Sequence, residues 1–360
     1  MKIRPLLTRI LIQPKLSAQL TLRDWDLLVR QARHANLLGR LAASLMAQNL
    51  LEDVPAPARA HLDSALSVAR RQKQAVRWEV DRIAHALLAV DTPVILLKGA
   101  AYIMRELPTA EGRLFSDVDI LVTKSSLEDA ELNLKIHGWI TTHHDAYDQQ
   151  YYRKWMHELP PMRHLKRQTV LDVHHTILPE TARYHPDPLK LIKAAKSIPE
   201  YGGRIKVFAP VDMVLHSATH LFHEGELQHG LRDLLDLDSL LRHFANDDPT
   251  FWDALITRAV ELDLRRPLYY ALRYTRRVLE TPMPDNILRD SRLMPPSWLK
   301  LKWMDALFMR AFTPPHPSCE DRLTPWARFA LYIRGHWLRM PMQHLIPHLW
   351  HQAFSEKPAE

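Results

Sequence analysis

Apolar residues recur at spacings of three, four and seven along most of the chain, but between residues 94 and 175 they gather into short continuous or alternating runs. The first pattern predicts helices and the second strands, since side chains share a face every third or fourth residue on a helix and every second residue on a strand. Thr21 and Asp24 make an N-terminal capping pattern ahead of Trp25, Leu27, Leu28 and Ala32, and a second helix is expected over about residues 37–50. Beyond Pro55 and Pro57 the longest helical pattern runs from about residue 58 to 90 through Leu62, Leu66, Ala69, Val76, Val80, Ile83 and Leu87. Its Arg70, Arg71, Lys73 and Arg77 read as a solvated face. Asp91-Thr92-Pro93 ends it, and Val94-Ile95-Leu96-Leu97 reads as a buried strand. A helix over 100–107, a loop over 108–112, a strand into Val122, a helix over 125–136 and a strand at 139–142 follow. Residues 143–167, with Tyr147, Tyr151, Tyr152, Trp155 and His157, read as loops and strand pieces near a site. Residues 169–175 alternate as a strand, and helices resume at Pro210.

These elements predict a predominantly helical α+β protein with a small mixed sheet between an N-terminal helical region and a C-terminal helical domain. The expected division is 1–90, 91–208, 209–288 and a basic, aromatic-rich segment over 289–360. Composition agrees: 9 glycines in 360 residues leave few tight hairpins. The single cysteine, Cys319, excludes a disulfide framework and a cysteine-based zinc site, and suits a reducing cytoplasm. Pro5 and Arg9 interrupt the basic N-terminus before a signal-peptide apolar region develops. The net charge of +7 is uneven, with nine Lys/Arg against four Asp/Glu between Arg289 and Phe354. That concentration argues against sequence-specific nucleic acid binding.

The candidate chemistry sits in the strands. Asp117 and Asp119 lie at i and i+2 in an apolar β-branched run, so both carboxylates point to one face and can converge on a divalent cation. Asp172 is a third carboxylate in an apolar strand, on the same face as Val170 and His174. If the two strands pair, the three aspartates form a cage. Lys98-Gly99 ends a strand ahead of a helix, a turn that suits close approach of phosphate. Further on, Asp212, His216, His220 and His223 fall on one helical stripe opposite Val214, Ala218, Leu221 and Phe222. Without the glutamate of a His-Glu-x-x-His motif they are expected to line a cleft or to form buried hydrogen bonds rather than to ligate metal. Arg232 and Asp236 are placed to pair at i, i+4.

Taken together, Val94-Ile95-Leu96-Leu97-Lys98-Gly99-Ala100, Arg113 with Ser116-Asp117-Val118-Asp119-Ile120-Leu121-Val122, and Val170-Leu171-Asp172-Val173-His174-His175 resemble the uncharacterised nucleotidyltransferase family of the DNA polymerase beta-type superfamily. The stretch with His216, His220, Arg232 and Asp236 is also similar to that family, and the likeness covers about residues 30–280. It implies transfer of a nucleoside monophosphate from an NTP to a hydroxyl on a small molecule, peptide or protein. It further implies magnesium, or manganese, on Asp117, Asp119 and Asp172, with Asp172 serving the metal that activates the acceptor. Lys98, Gly99, Arg113 and Ser116 would then meet the triphosphate. The chain departs from many active relatives at the turn, where Ala100 stands in place of a phosphate-contacting serine. Two alternatives follow: a non-catalytic nucleotide- or partner-binding accessory protein on the same fold, and a metallohydrolase built on His174, His216 and His220. In the last segment Trp298, Trp303, Phe308, Phe312, Trp326, Phe329, Tyr332, Trp337 and Trp350 interleave with Arg310, Arg328, Arg334 and Arg339. Such a segment suits a membrane surface, a protein partner or an acceptor polymer, or else packs on the helical domain. The corresponding location is cytoplasmic, with peripheral membrane contact through this segment.

Overall fold

A computed structural model describes residues 4–142, 156–223 and 227–339. Four helices open the chain: α1 (Leu6–Ile12), α2 (Leu22–His34), α3 (Leu38–Ala47) and the long α4 (Ala56–Ala86). The predicted cap on α2 is present: Asp24 N–H donates to Thr21 Oγ1 at 3.2 Å and Thr21 N–H donates back to Asp24 Oδ2 at 3.0 Å. Helix α4 stops at Ala86 rather than near residue 90, with Leu87 and Val90 turned into the core ahead of the Pro93 break. Its basic face is only partly solvated, because Lys73 and Arg77 reach across to Glu111 and Glu106.

Seven strands follow: β1 (Val94–Leu96), β2 (Asp117–Leu121), β3 (Trp139–Thr141), β4 (Met162–His164), β5 (Val170–His174), β6 (Lys196–Ser197) and β7 (Ile205–Val207). They form one mixed sheet in the order β3-β4-β5-β2-β1-β7-β6, with β2–β5 and β1–β7 parallel and the other pairings antiparallel. Helices α5 (Lys98–Met104), α6 (Leu127–Ile136) and α7 (Pro188–Ala194) connect the strands, and α4 packs against α5, α6 and β2. Val118 and Ile120 face the core, 3% and 0% exposed, as their alternation with the aspartates requires. Of the 143–167 segment, the tyrosines and Trp155 lie outside the described residues; Met162–His164 forms the expected strand piece.

The remaining helices are α8 (Pro210–His223), α9 (Gly230–Asp247), α10 (Phe251–Glu261), α11 (Arg265–Leu279), α12 (Trp298–Ala311) and α13 (Thr324–Arg339). Helix α8 contacts α9, α10, α11 and α13, so it is the central member of this layer. The first helix returns to the same layer: α1 packs on α11, and Arg4 pairs with Glu280. The fold is therefore predominantly helical α+β. Among the described residues no helix is long and apolar enough to cross a membrane.

Candidate active site

The sheet register brings two of the three aspartates side by side. Strands β2 and β5 run parallel with Asp119 opposite Asp172 and Asp117 opposite Val170. Neighbouring strands lie about 4.8 Å apart, so the Asp119 and Asp172 carboxylates leave the same face as immediate neighbours. Asp117 sits at the exposed start of β2, where its Oδ1 accepts a hydrogen bond from Ser116 Oγ at 3.0 Å.

Asp119 is 6% exposed, and its charge is balanced from two sides. Its Oδ1 accepts from Lys98 Nζ at 3.3 Å and meets His174 Nε2 at 3.2 Å. The other ring nitrogen, Nδ1, faces Glu158 Oε2 at 3.2 Å. Lys98, Asp119, His174 and Glu158 thus alternate in charge as a buried ladder. Burial alone would raise the Asp119 pKa, but Lys98 and then His174 outweigh it and hold the carboxyl far below its usual range. Burial would lower the His174 pKa, but Glu158 and then Asp119 outweigh it and raise it above the ordinary value, which favours a ring that donates to both carboxylates. Asp172 goes the other way: burial, and then the Asp119 charge beside it, push its carboxyl up to about 7. Its Oδ1 is buried with no hydrogen-bond partner. A buried, orphaned carboxylate oxygen next to an ionised aspartate fits a hard cation such as magnesium or manganese, which oxygen donors favour.

A cleft of about 120 Å³ opens beside Asp117 and Asp119, lined also by Lys98, Gly99, Tyr102, Arg113, Ser116, Ser217, His220, Arg232, Asp233 and Asp236. All four residues expected at the phosphates, Lys98, Gly99, Arg113 and Ser116, are therefore brought together. The details differ from expectation at three places. Lys98 itself takes the left-handed backbone at the strand end, with φ 42°, and α5 begins there rather than at Ala100. Gly99 is needed for close packing: a Cβ there would lie 2.7 Å from Phe115 Cδ1 and 3.0 Å from Arg113 Nη1. Arg232 pairs with neighbouring Asp233 at 2.9 Å instead of with Asp236. Arg113 takes Asp236, Nε to Oδ2 at 2.8 Å, because the loop before β2 lies against α9. Burial would lower the Arg113 pKa, but Asp236 raises it, so this guanidinium stays charged. Arg113 also lies over the Phe115 ring at 5.0 Å, which fixes its place at the cleft wall.

The histidine stripe on α8 is divided among different tasks. Asp212 is fully buried and pairs with Arg258 at 2.7 Å, away from the cleft, while His223 stands edge-on to Tyr184 at 5.3 Å. His216 meets Phe208 edge-on at 5.5 Å, and burial, with Lys98 and His220 nearby, keeps it neutral. Only His220 lines the cleft. Among the described residues, the set of three ligand atoms lying within 4.8 Å of one another is that of His157, Glu158 and His174. Neither the three aspartates nor His174, His216 and His220 make such a set. His157 stacks on His174 with ring centroids 5.1 Å apart and planes 29° apart. Both His174 ring nitrogens already face carboxylates, Nε2 that of Asp119 and Nδ1 that of Glu158, so this cluster is better read as an ion-paired histidine. Glu158, Tyr102, Ser217 and Asp233 were not legible as site residues in the sequence; each reaches the site through packing, with no local motif.

A larger cavity of about 650 Å³ lies between the N-terminal helices and α9, but its charged groups are already engaged. Arg40 donates to the Pro108, Thr109 and Glu111 carbonyls, and Asp238 accepts from Arg242 and Thr281.

The mixed sheet thus sets paired carboxylates on adjacent parallel strands beside a cationic turn. The sequence profile of the uncharacterised nucleotidyltransferase family matches residues 21–280, and the chain belongs to that family. No curated protein and no solved structure matches the chain.

Proposed function

We propose that the chain is a magnesium-dependent transferase that moves a nucleoside monophosphate from an NTP to a hydroxyl acceptor. The observation that carries this reading is the juxtaposition of Asp119 and Asp172, with the buried Asp172 Oδ1 left without a partner. Asp117, Asp119 and Asp172 are the residues that would hold magnesium or manganese. When bound, the ions supply positive charge to the triphosphate and acidify the acceptor hydroxyl. The charge balance supports the need for them. Four carboxylates against Lys98, Arg113 and Arg232 line the cleft, which would repel a triphosphate. The acceptor oxygen forms a bond to the α-phosphorus, the bond from that phosphorus to the oxygen bridging to the β-phosphate breaks, pyrophosphate leaves and the hydroxyl proton passes to solvent. In this reading Lys98 and Ser116 would hold phosphate oxygens, and Arg113, fixed by Asp236, would orient them. A cleft of about 120 Å³ takes phosphate, so sugar and base would lie outside it.

Two observations favour the accessory-protein reading as the alternative. Ala100, at the turn, is 1% exposed and brings no hydroxyl, and Asp119 already has Lys98 and His174 as counter-charges. Calorimetric titration with each NTP, with and without magnesium, separates the two readings. Magnesium-dependent binding that disappears in Asp117→Ala/Asp119→Ala, followed by transfer of labelled nucleotide to an acceptor, supports the transferase. Absence of binding in well-folded protein, or binding indifferent to magnesium, rejects it.

A further inference from the structure

The last two helices reverse the ordinary distribution of side chains. On α13 the exposed positions are Pro325, Trp326, Phe329, Ala330, Ile333 and Trp337, with no charge among them. Trp326, Phe329, Ile333 and Trp337 follow spacings of three and four, so they form one stripe along the helix, 69%, 56%, 40% and 55% exposed. The arginines of the same helix turn inward: Arg328 pairs with Glu320, and Arg334 donates to the Phe222 carbonyl at 2.8 Å. Helix α12, packed against α13, presents Trp298 and Trp303, 68% and 65% exposed, together with Lys300 and Lys302. A solvent-facing helix normally shows charge outward, and an apolar stripe such as that of α13 marks a contact face.

The charges that remain outward have one sign. Between Trp298 and Arg339 the acids are Asp305, Glu320 and Asp321, and each is tied to arginine: Asp305 to Arg273 and Arg277, Glu320 to Arg328, Asp321 to Arg310. That leaves Lys300, Lys302 and Arg322 as the exposed charged groups, and Lys302 Nζ lies 4.6 Å above the Trp298 ring. Tryptophans flanked by lysine are the composition that settles at a bilayer's headgroup layer, where the ring is half in hydrocarbon and the ammonium meets lipid phosphate. We propose that the outward face of α12 and α13 docks on a lipid bilayer bearing anionic headgroups, with the exposed tryptophans, Phe329 and Ile333 entering the headgroup layer and Lys300, Lys302 and Arg322 against the phosphates. The site on β2 and β5 plays no part in this inference.

The test is flotation of the full chain with vesicles of phosphatidylcholine, alone or with about a third phosphatidylglycerol. Partition onto the anionic vesicles is expected to exceed that onto neutral ones by about ten-fold or more and to fall with added salt. Trp326→Ser/Phe329→Ser/Trp337→Ser should lower it about ten-fold with an unchanged circular dichroism spectrum, and Lys300→Glu/Lys302→Glu should remove the preference for anionic lipid. No partition of the native chain onto either vesicle overturns the proposal, as does partition that both variants leave unchanged. A dimer in sedimentation that the serine variant dissolves, without lipid binding, overturns it in favour of a face between copies of this chain.

Discussion

The strand site and the last two helices break the same rule in opposite directions. Around β2 and β5, titratable groups are buried: Asp119 and His174 are 6% and 5% exposed. On α12 and α13, tryptophans stand in solvent while arginines of the same helices turn inward. Each arrangement carries a local cost, desolvation in the first case and apolar hydration in the second. The buried charges are compensated inside the molecule, by the Lys98–Asp119–His174–Glu158 ladder. The outward tryptophans have no compensation among the described residues, so their cost is relieved only by something that covers them. Among the described residues the buried polar network is therefore explained from within, and the exposed apolar face is not.

The largest effect should come from the site. Asp119→Asn and Asp172→Asn are each expected to lower nucleotidyl transfer by roughly a thousand-fold or more, read by label transfer at saturating magnesium. Equal activity in both variants would remove the carboxylates from the chemistry and leave the ladder a structural device. Within the last two helices, core and surface aromatics should separate sharply. Phe308, 1% exposed and packed on Tyr270, Tyr274 and Phe312, should cost about 3–5 kcal/mol when changed to alanine. Gly99→Ala places a methyl 2.7 Å from Phe115 and should cost about 1–3 kcal/mol in urea denaturation while weakening NTP binding, since Arg113 moves with Phe115.

The pH dependence sharpens the comparison from the site's side. The folded Asp172 pKa of about 7 lies above its unfolded value near 3.8, so the folded chain holds a proton that the unfolded chain releases between those values. Its contribution to metal-free stability is greatest below about pH 4, is lost as pH rises to about 7, and is flat beyond. Magnesium held as proposed would need the ionised form, so binding should weaken as pH falls below about 7 and release a proton there, both absent in Asp172→Asn. The smallest effect belongs to the outward face: Trp326→Ala should change stability by no more than about 0.5 kcal/mol, because the 69% exposed ring packs on little. A larger loss would mean that this ring is part of the core in solution.

Much of the fold was legible because helix and strand periodicities are local. The cap at Thr21 and Asp24, the strands at 94–96, 117–121 and 170–174, and the long helix ending ahead of Pro93 all follow from neighbours in sequence. Spacing could place Arg232 and Asp236 on one helix face, but it could not reveal that Arg113, more than a hundred residues away, takes Asp236. The same limit hid Glu158, whose role depends on its bridge to His174.

The aromatic, basic last segment shows the division clearly. Composition announced it, yet Phe308 and Phe312 went into the core against Tyr274 while Trp298, Trp303, Trp326, Phe329 and Trp337 stayed outside. By itself the sequence determined which side chains share a face: Asp117 with Asp119, Asp172 with His174, and Trp326 with Phe329, Ile333 and Trp337. Only the tertiary structure decided which faces meet, setting Asp119 beside Asp172 and leaving the α13 stripe uncovered among the described residues. The physical reason is range. Backbone geometry fixes the direction of a side chain within a few residues, whereas contacts between elements depend on the competition of every apolar and charged face for a partner.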